Sequence, residues 1–249
     1  MNSKPLIIAH RGFSGIYPEN TVLSVSEASN TGADIAEFDV RLTKDKEVVV
    51  FHDETVDRIL TSETNKRIAD FTLKKLKQMD FGSWLDSKYN RCTIATLKEL
   101  LEFKNNSDQK FDFIIEIKDK NPEELIPKVK DKLLEYNFTF SKGYLSVRDE
   151  KAFALAVDNS FSKNKIGLMQ KKRFPSEAIE LALKLEVRYL QLRPKLWTEQ
   201  DWNKLINSNL LFTIFYGDTV SDFEWMIKKK PYGIFTNFPN RLQKFLFDS

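Results

Sequence analysis

The sequence predicts an α/β chain of the TIM-type (β/α)8 barrel class, with a β-hairpin and a capping insertion after the second strand. Three observations lead there. Short β-rich apolar runs alternate with amphipathic stretches almost from end to end. One apolar run follows its predecessor too closely to be a parallel neighbour, and setting it aside leaves eight strand-helix units. The length, 249 residues with 41% hydrophobic content, suits a single barrel domain over 1–249 with a sizeable core.

The strands fall near Leu6 to Ala9, Ile35 to Val40, Phe113 to Ile117, Tyr144 to Val147, Ile166 to Met169, Arg188 to Leu192, Leu211 to Phe215 and Gly233 to Thr236. Amphipathic helices are expected over Pro122 to Glu135, Ser176 to Leu185, Thr198 to Ile206 and Ser221 to Lys228, several opened by Asn, Ser, Thr or Asp. The run Val48 to His52 is separated from the second strand only by Arg41 to Glu47. A parallel crossover needs a dozen or more residues, so this run folds back antiparallel and returns His52 to the barrel mouth. Residues 54–94 form the long irregular stretch, with polar turns at Thr61 to Lys66 and one helical segment at Leu73 to Met79, and are expected to cap the site.

Thirty-nine basic and thirty-six acidic residues leave a net charge of +3, too balanced for charge alone to indicate a nucleic-acid partner. The runs Lys171 to Arg173 and Lys228 to Lys230 read as solvated helix ends. Cys92 is the single cysteine and excludes an intramolecular disulfide. The amino terminus offers only Leu6 to Ala9 as an apolar stretch, short of a signal or a membrane span, so no membrane insertion and a cytoplasmic location are expected. Nothing in the residues bears on oligomeric state.

Barrel chemistry gathers at the carboxyl ends of the strands. There the first strand ends in His10-Arg11-Gly12, the second carries Glu37 and Asp39, the hairpin returns with His52-Asp53, and the next barrel strand ends in Glu116-Ile117-Lys118. Glu37 and Asp39 stand two apart and share a face, as do Glu116 and Lys118. Three carboxylates turned into one mouth repel one another unless a cation intervenes, and an all-oxygen donor set suits Mg²⁺ or Ca²⁺ rather than zinc. The alternative is that these side chains merely form salt bridges with one another. Arg11 and Lys118 beside the cation suit a phosphate. His10 and His52, the only two histidines of the chain, supply an acid/base pair, one taking a proton from the attacking hydroxyl or water and the other protonating the leaving alkoxide.

These residues resemble the glycerophosphodiester phosphodiesterases, relatives of the phosphatidylinositol-specific phospholipases C. The resemblance runs through H-R-G at His10 to Gly12, P-E-N-T at Pro18 to Thr21, E-F-D-V at Glu37 to Val40 and V-V-V-F-H-D ending at Asp53. It continues in D-x-x-x-D-R at Asp53 to Arg58, F-G-S-W at Phe81 to Trp84, E-I-K at Glu116 to Lys118 and I-F-T-N-F-P at Ile234 to Pro239. It implies hydrolysis of a small-molecule glycerophosphodiester to sn-glycerol 3-phosphate and an alcohol, through a cyclic phosphate or by direct attack of water. By the same resemblance His10 and His52 are the acid/base pair, Glu37, Asp39 and Glu116 the metal ligands, and Arg11 and Lys118 phosphate contacts. Asn20 is expected to cap the first helix and Glu19 to hold Arg11.

The chain departs from the family's pattern in three places. Ile59 to Thr64 stands where a glycine-containing turn is common, and Ala95-Thr96-Leu97 replaces P-T-L. Phe215-Tyr216-Gly217-Asp218 replaces the W-T-x-N run, whose tryptophan is associated with the glycerol end of the substrate. Two other activities fit parts of this pattern. A lysophospholipase D-like enzyme needs an apolar groove, for which Phe71, Phe81, Trp84 and Leu85 are candidates. A retaining glycosidase needs paired carboxylates but neither the histidines nor the cations. A non-catalytic phosphate- or lipid-binding barrel is expected to have lost a histidine or a carboxylate, and here all are present.

Overall fold

The computed structural model describes residues 4–61, 64–108, 110–171, 174–193 and 197–248. Its strands are β1 (Leu6–His10), β2 (Ile35–Leu42), β3 (Val48–Val50), β4 (Ala95–Thr96), β5 (Asp112–Ile117), β6 (Tyr144–Val147), β7 (Ile166–Met169), β8 (Tyr189–Leu192), β9 (Leu211–Ile214) and β10 (Gly233–Thr236). They run in the order β1-β10-β9-β8-β7-β6-β5-β2-β3-β4, and β1 also pairs with β2, so eight parallel strands close into a TIM barrel. β3 pairs antiparallel with β2 through Val40 and Val50, as the short connection requires. β4, absent from the sequence reading, extends this ribbon antiparallel beyond β3.

Period-two alternation sorts the strand residues between two cores. Outward-facing Ile7, Ala9, Phe38, Phe113, Ile115, Leu145 and Leu190 meet the apolar faces of the surrounding helices. Inward-facing Ile8, Ile35, Ile114, Tyr144, Tyr189 and Phe235 form a separate apolar plug in the barrel interior, with Tyr144 and Tyr189 stacked at 4.5 Å. A third core lies over the hairpin: Val49 and Phe51 pack against Val56, Ile59, Ile68, Leu76, Phe81 and Ile94. The segment after the hairpin thus buries its own apolar side chains on the outer face of β3.

The turn after β1 sets the site's first corner. Arg11 and Gly12 both adopt positive φ, 55° and 77°, and a Cβ on Gly12 would lie 2.5 Å from Ser24 Oγ and 2.6 Å from the Ser24 carbonyl carbon. Ser24 belongs to the helix Val22–Asn30, which Thr21 caps by accepting from the Ser24 amide. Gly12→Ala therefore combines left-handed strain with a backbone clash and is expected to cost about 2 kcal/mol or more. That corresponds to a fall of roughly 5 °C in Tm, measured by thermal unfolding; an unchanged Tm would mean that the turn relaxes freely.

Candidate active site

One step above the apolar plug, each inner strand changes character. The residue two positions after Ile8 is His10, after Ile35 Glu37, after Ile114 Glu116, after Tyr144 Ser146, after Tyr189 Gln191 and after Phe235 Asn237. Period two keeps these side chains directed inward, so the barrel closes over a dry floor and opens into a polar layer at its carboxyl end. The register aligns His10 with Glu37 and Asp39 with Glu116.

Glu37, Asp39 and Glu116 are all buried, and their ligand oxygens lie within 4.8 Å of one another. Cations are unevenly shared among them. Lys118 Nζ lies 3.2 Å from Asp39 and 2.5 Å from Glu116, Arg148 reaches Glu116 at 2.9 Å, and Arg11 Nε stands 3.5 Å from Asp39. Glu37 accepts the Arg11 backbone amide at 3.0 Å. Burial, then the charges of Asp39 and Glu116, push the Glu37 carboxyl well above its usual range. Burial works the same way on Asp39, but Lys118 and Arg11 overcome it and hold Asp39 below the usual carboxylate range. The set is thus short of positive charge at Glu37. Three converging carboxylates with no sulfur or nitrogen ligand among them fit a hard divalent cation.

Arg11 is fastened through one guanidinium nitrogen to Glu19 at 2.8 Å, while its buried Nε lacks a hydrogen-bond acceptor. Glu19 also receives Arg58 at 2.7 Å, and Arg58 Nε donates to Asp53 at 2.6 Å. Asp53 in turn accepts from His52 Nδ1 at 2.6 Å. Despite partial burial, the bonds from His52 and Arg58 lower the Asp53 carboxyl to about 2. One ionic chain therefore ties the loop after β1 to the capping segment and the hairpin. Phe51 N donates to the Asp39 carbonyl at 2.8 Å, and the His52 charge acts on the Asp39 carboxyl, which places the hairpin's end over the carboxylate group.

The two histidines have unlike partners. His10 is buried, edge-on to Phe215 at 4.8 Å and stacked on Tyr216 at 5.7 Å, and its Nδ1 lies 2.7 Å from Asn237 Oδ1. Burial, then the Arg11 charge, lowers this ring to about 3, so it is neutral across the physiological range. His52 is more open, with 30% of its side chain exposed, and faces a carboxylate.

All seven residues singled out from the sequence converge on the barrel mouth. Arg11 and Lys118, read there as phosphate contacts, also serve the carboxylates directly. Asn20 does not cap the first helix; Thr21 does, because its hydroxyl reaches the Ser24 amide. Asn20 is instead buried and donates to Asp39 at 3.0 Å. Arg148 escaped the sequence reading, while Asn237 and Asp218 figured there only within motifs and without a role, although Asn237 lies in the same phase as the plug residue Phe235. Phe81 is buried in the capping core, where it also borders a small cavity with Glu19, Asn20 and Phe51; Phe71 and Trp84 pack partly buried against that core, and Leu85 is exposed. Lys171 lies in a turn after β7 and not at a helix end, and Lys172 and Arg173 lie outside the described residues, as do Ser62 and Glu63 of the polar turn. No helix among the described residues is long and apolar enough to cross a membrane.

Comparison with known proteins agrees with this geometry. The model of the glycerophosphoryl diester phosphodiesterase family matches residues 10–241. A glycerophosphodiester phosphodiesterase of Caldanaerobacter subterraneus subsp. tengcongensis is 36% identical, covering 96% of both chains, and one from Bacillus altitudinis is 38% identical over 129 residues, 52% of this chain and 51% of its own. Among solved structures, an Oleispira antarctica phosphodiesterase in complex with the product sn-glycerol-3-phosphate superposes with a TM-score of 0.83 at 23% identity, covering 99% of this chain and 98% of its own. A glycerophosphodiester phosphodiesterase from Thermotoga maritima does so with a TM-score of 0.72 at 24% identity, covering 97% and 98%. A TIM barrel with this mouth and these relatives is a phosphoric diester hydrolase. The chain belongs to the glycerophosphoryl diester phosphodiesterase family.

Proposed function

We propose that the chain hydrolyses glycerophosphodiesters to sn-glycerol 3-phosphate and an alcohol, with a divalent cation, Mg²⁺ or Ca²⁺, held by Glu37, Asp39 and Glu116. The observation that carries this reading is the packing of three buried carboxylates within 4.8 Å, with Asp39 in electrostatic reach of both histidines. A bound cation supplies Lewis-acid polarisation of a phosphoryl oxygen and neutralises charge. The chain's own residues do the rest. Arg11, with an Nε donor to spare, and Lys118 bind phosphate oxygens and offset charge as it builds up. His10 and His52 move the protons: one ring takes the proton of the attacking water or glycerol hydroxyl, and the other gives one to the departing alkoxide as its bond to phosphorus breaks; where the hydroxyl attacks, water then opens the cyclic phosphate to give sn-glycerol 3-phosphate. The edge of Phe215 beside His10 provides an apolar wall in place of the family's tryptophan.

The test is a screen of glycerophosphocholine, glycerophosphoethanolamine, glycerophosphoinositol and lysolipids, scored for sn-glycerol 3-phosphate with Mg²⁺ or Ca²⁺ and with chelator. Release from the deacylated diesters that stops in chelator is expected. Chelator-insensitive turnover would remove the cation from the reading, and release from lysolipids alone would replace the substrate class.

A further inference from the structure

Asn237, which touches His10, is itself held by a residue that departs from the family's pattern. Asp218 lies just beyond β9, and its carboxylate accepts three bonds from the end of β10: Thr236 Oγ1 at 3.0 Å, the Asn237 amide at 2.8 Å and Asn237 Nδ2 at 2.7 Å. An ionised carboxylate can only accept, so the Asn237 side chain must turn its NH₂ to Asp218 and its Oδ1 to the ring. Ser14 Oγ lies 2.9 Å from the same Oδ1 and 2.7 Å from the His10 carbonyl oxygen; with one proton for two acceptors it can face either end of the amide, so the orientation is set by Asp218. An amide oxygen can also only accept, so the ring nitrogen facing it, Nδ1, carries the proton.

We propose that Asp218 is a positioning residue for His10: acting through Asn237, it keeps the neutral ring in its Nδ1–H tautomer and leaves the Nε2 lone pair for the reaction. A neutral imidazole has two tautomers, and only one presents a bare nitrogen at a given edge. Without the Asp218 carboxylate the Asn237 amide is free to turn its NH₂ to the ring, because the Ser14 hydroxyl can accept as well as donate. That turn moves the ring proton to Nε2. The proposal rests on the reading of His10 as a proton-transfer group, but it is read out separately, because a tautomer is observed without turnover.

The chain has only two histidines, so two-bond ¹H–¹⁵N spectra of the labelled full-length protein contain two ring patterns, and His52→Ala identifies the one belonging to His10. The wild type is expected to show Nδ1–H for His10. Asp218→Asn is expected to shift His10 toward Nε2–H and to lower kcat by about 10- to 100-fold with KM little changed. The exchanged pair, Asp218→Asn with Asn237→Asp, restores the pattern in mirror form: the carboxylate now at position 237 accepts from the ring, and the amide now at position 218 donates to that carboxylate. It is expected to recover the Nδ1–H tautomer and most of the lost activity, a rescue that a purely structural loss would not allow. An Nε2–H ring in the wild type, or an unchanged tautomer in Asp218→Asn, overturns the proposal whatever the activity. A shifted tautomer with unchanged kcat leaves the positioning intact and overturns the proton-transfer reading of His10.

Discussion

Replacing either histidine with alanine is expected to lower kcat by about 100- to 10,000-fold, the usual contribution of a positioned acid or base. The two losses differ in character because the rings sit differently. His52 is partly open and tethered to Asp53, so His52→Ala leaves a gap that added imidazole can enter, and part of its activity is expected to return with imidazole concentration. His10 is buried against Phe215 and Tyr216, so His10→Ala opens a closed space and is expected to resist rescue; His10→Gln fills more of that space and serves as the folding control. Profiles of kcat/KM against pH then separate the roles. Loss of the acid limb in one variant marks the base, and loss of the alkaline limb in the other marks the acid. Near-wild-type turnover in either variant would end the acid/base assignment.

The parts of this site that could be read in the sequence are those governed by strand periodicity and loop length. Glu37 and Asp39 are two apart on one strand, Glu116 and Lys118 end the next, and the short Arg41 to Glu47 connection brings His52 back over the mouth. β4 was not legible because two residues, Ala95 and Thr96, carry no periodicity; they become a strand by pairing with Val49 and Val50. Asn20 and Arg148 were not legible for a different reason. Each comes from a loop, and which carboxylate it meets depends on barrel closure, which no local pattern encodes. Asn237 had a local signal, its phase with Phe235, but its partner Asp218 belongs to the preceding strand end, and only the β9–β10 neighbourhood joins them.

Glu37→Gln is expected to move stability and activity in opposite directions. Asp39 and Glu116 have Lys118, Arg11 and Arg148 beside them, whereas the contact given to Glu37 is a backbone amide that glutamine can still satisfy through its oxygen. In chelator the substitution removes a buried charge that its neighbours oppose, so Tm is expected to hold or rise by a few degrees at pH 8. The sign follows from the raised Glu37 carboxyl. A group that binds its proton more tightly in the folded state contributes stability below the ordinary glutamate range and loses it as pH rises through the folded value. The advantage of glutamine therefore grows as pH rises above the ordinary glutamate range. In saturating Mg²⁺ or Ca²⁺ the order reverses, because the wild type gains about 2.7 kcal/mol at a hundredfold excess over Kd and the variant, short of one charged ligand, gains less. The cation concentration for half-maximal activity is expected to rise about tenfold or more, with excess cation restoring part of the rate. Thermal unfolding with chelator and with cation, beside activity titrations, measures each term. Equal destabilisation under both conditions with an unchanged cation titration would show that Glu37 serves the fold and holds no metal.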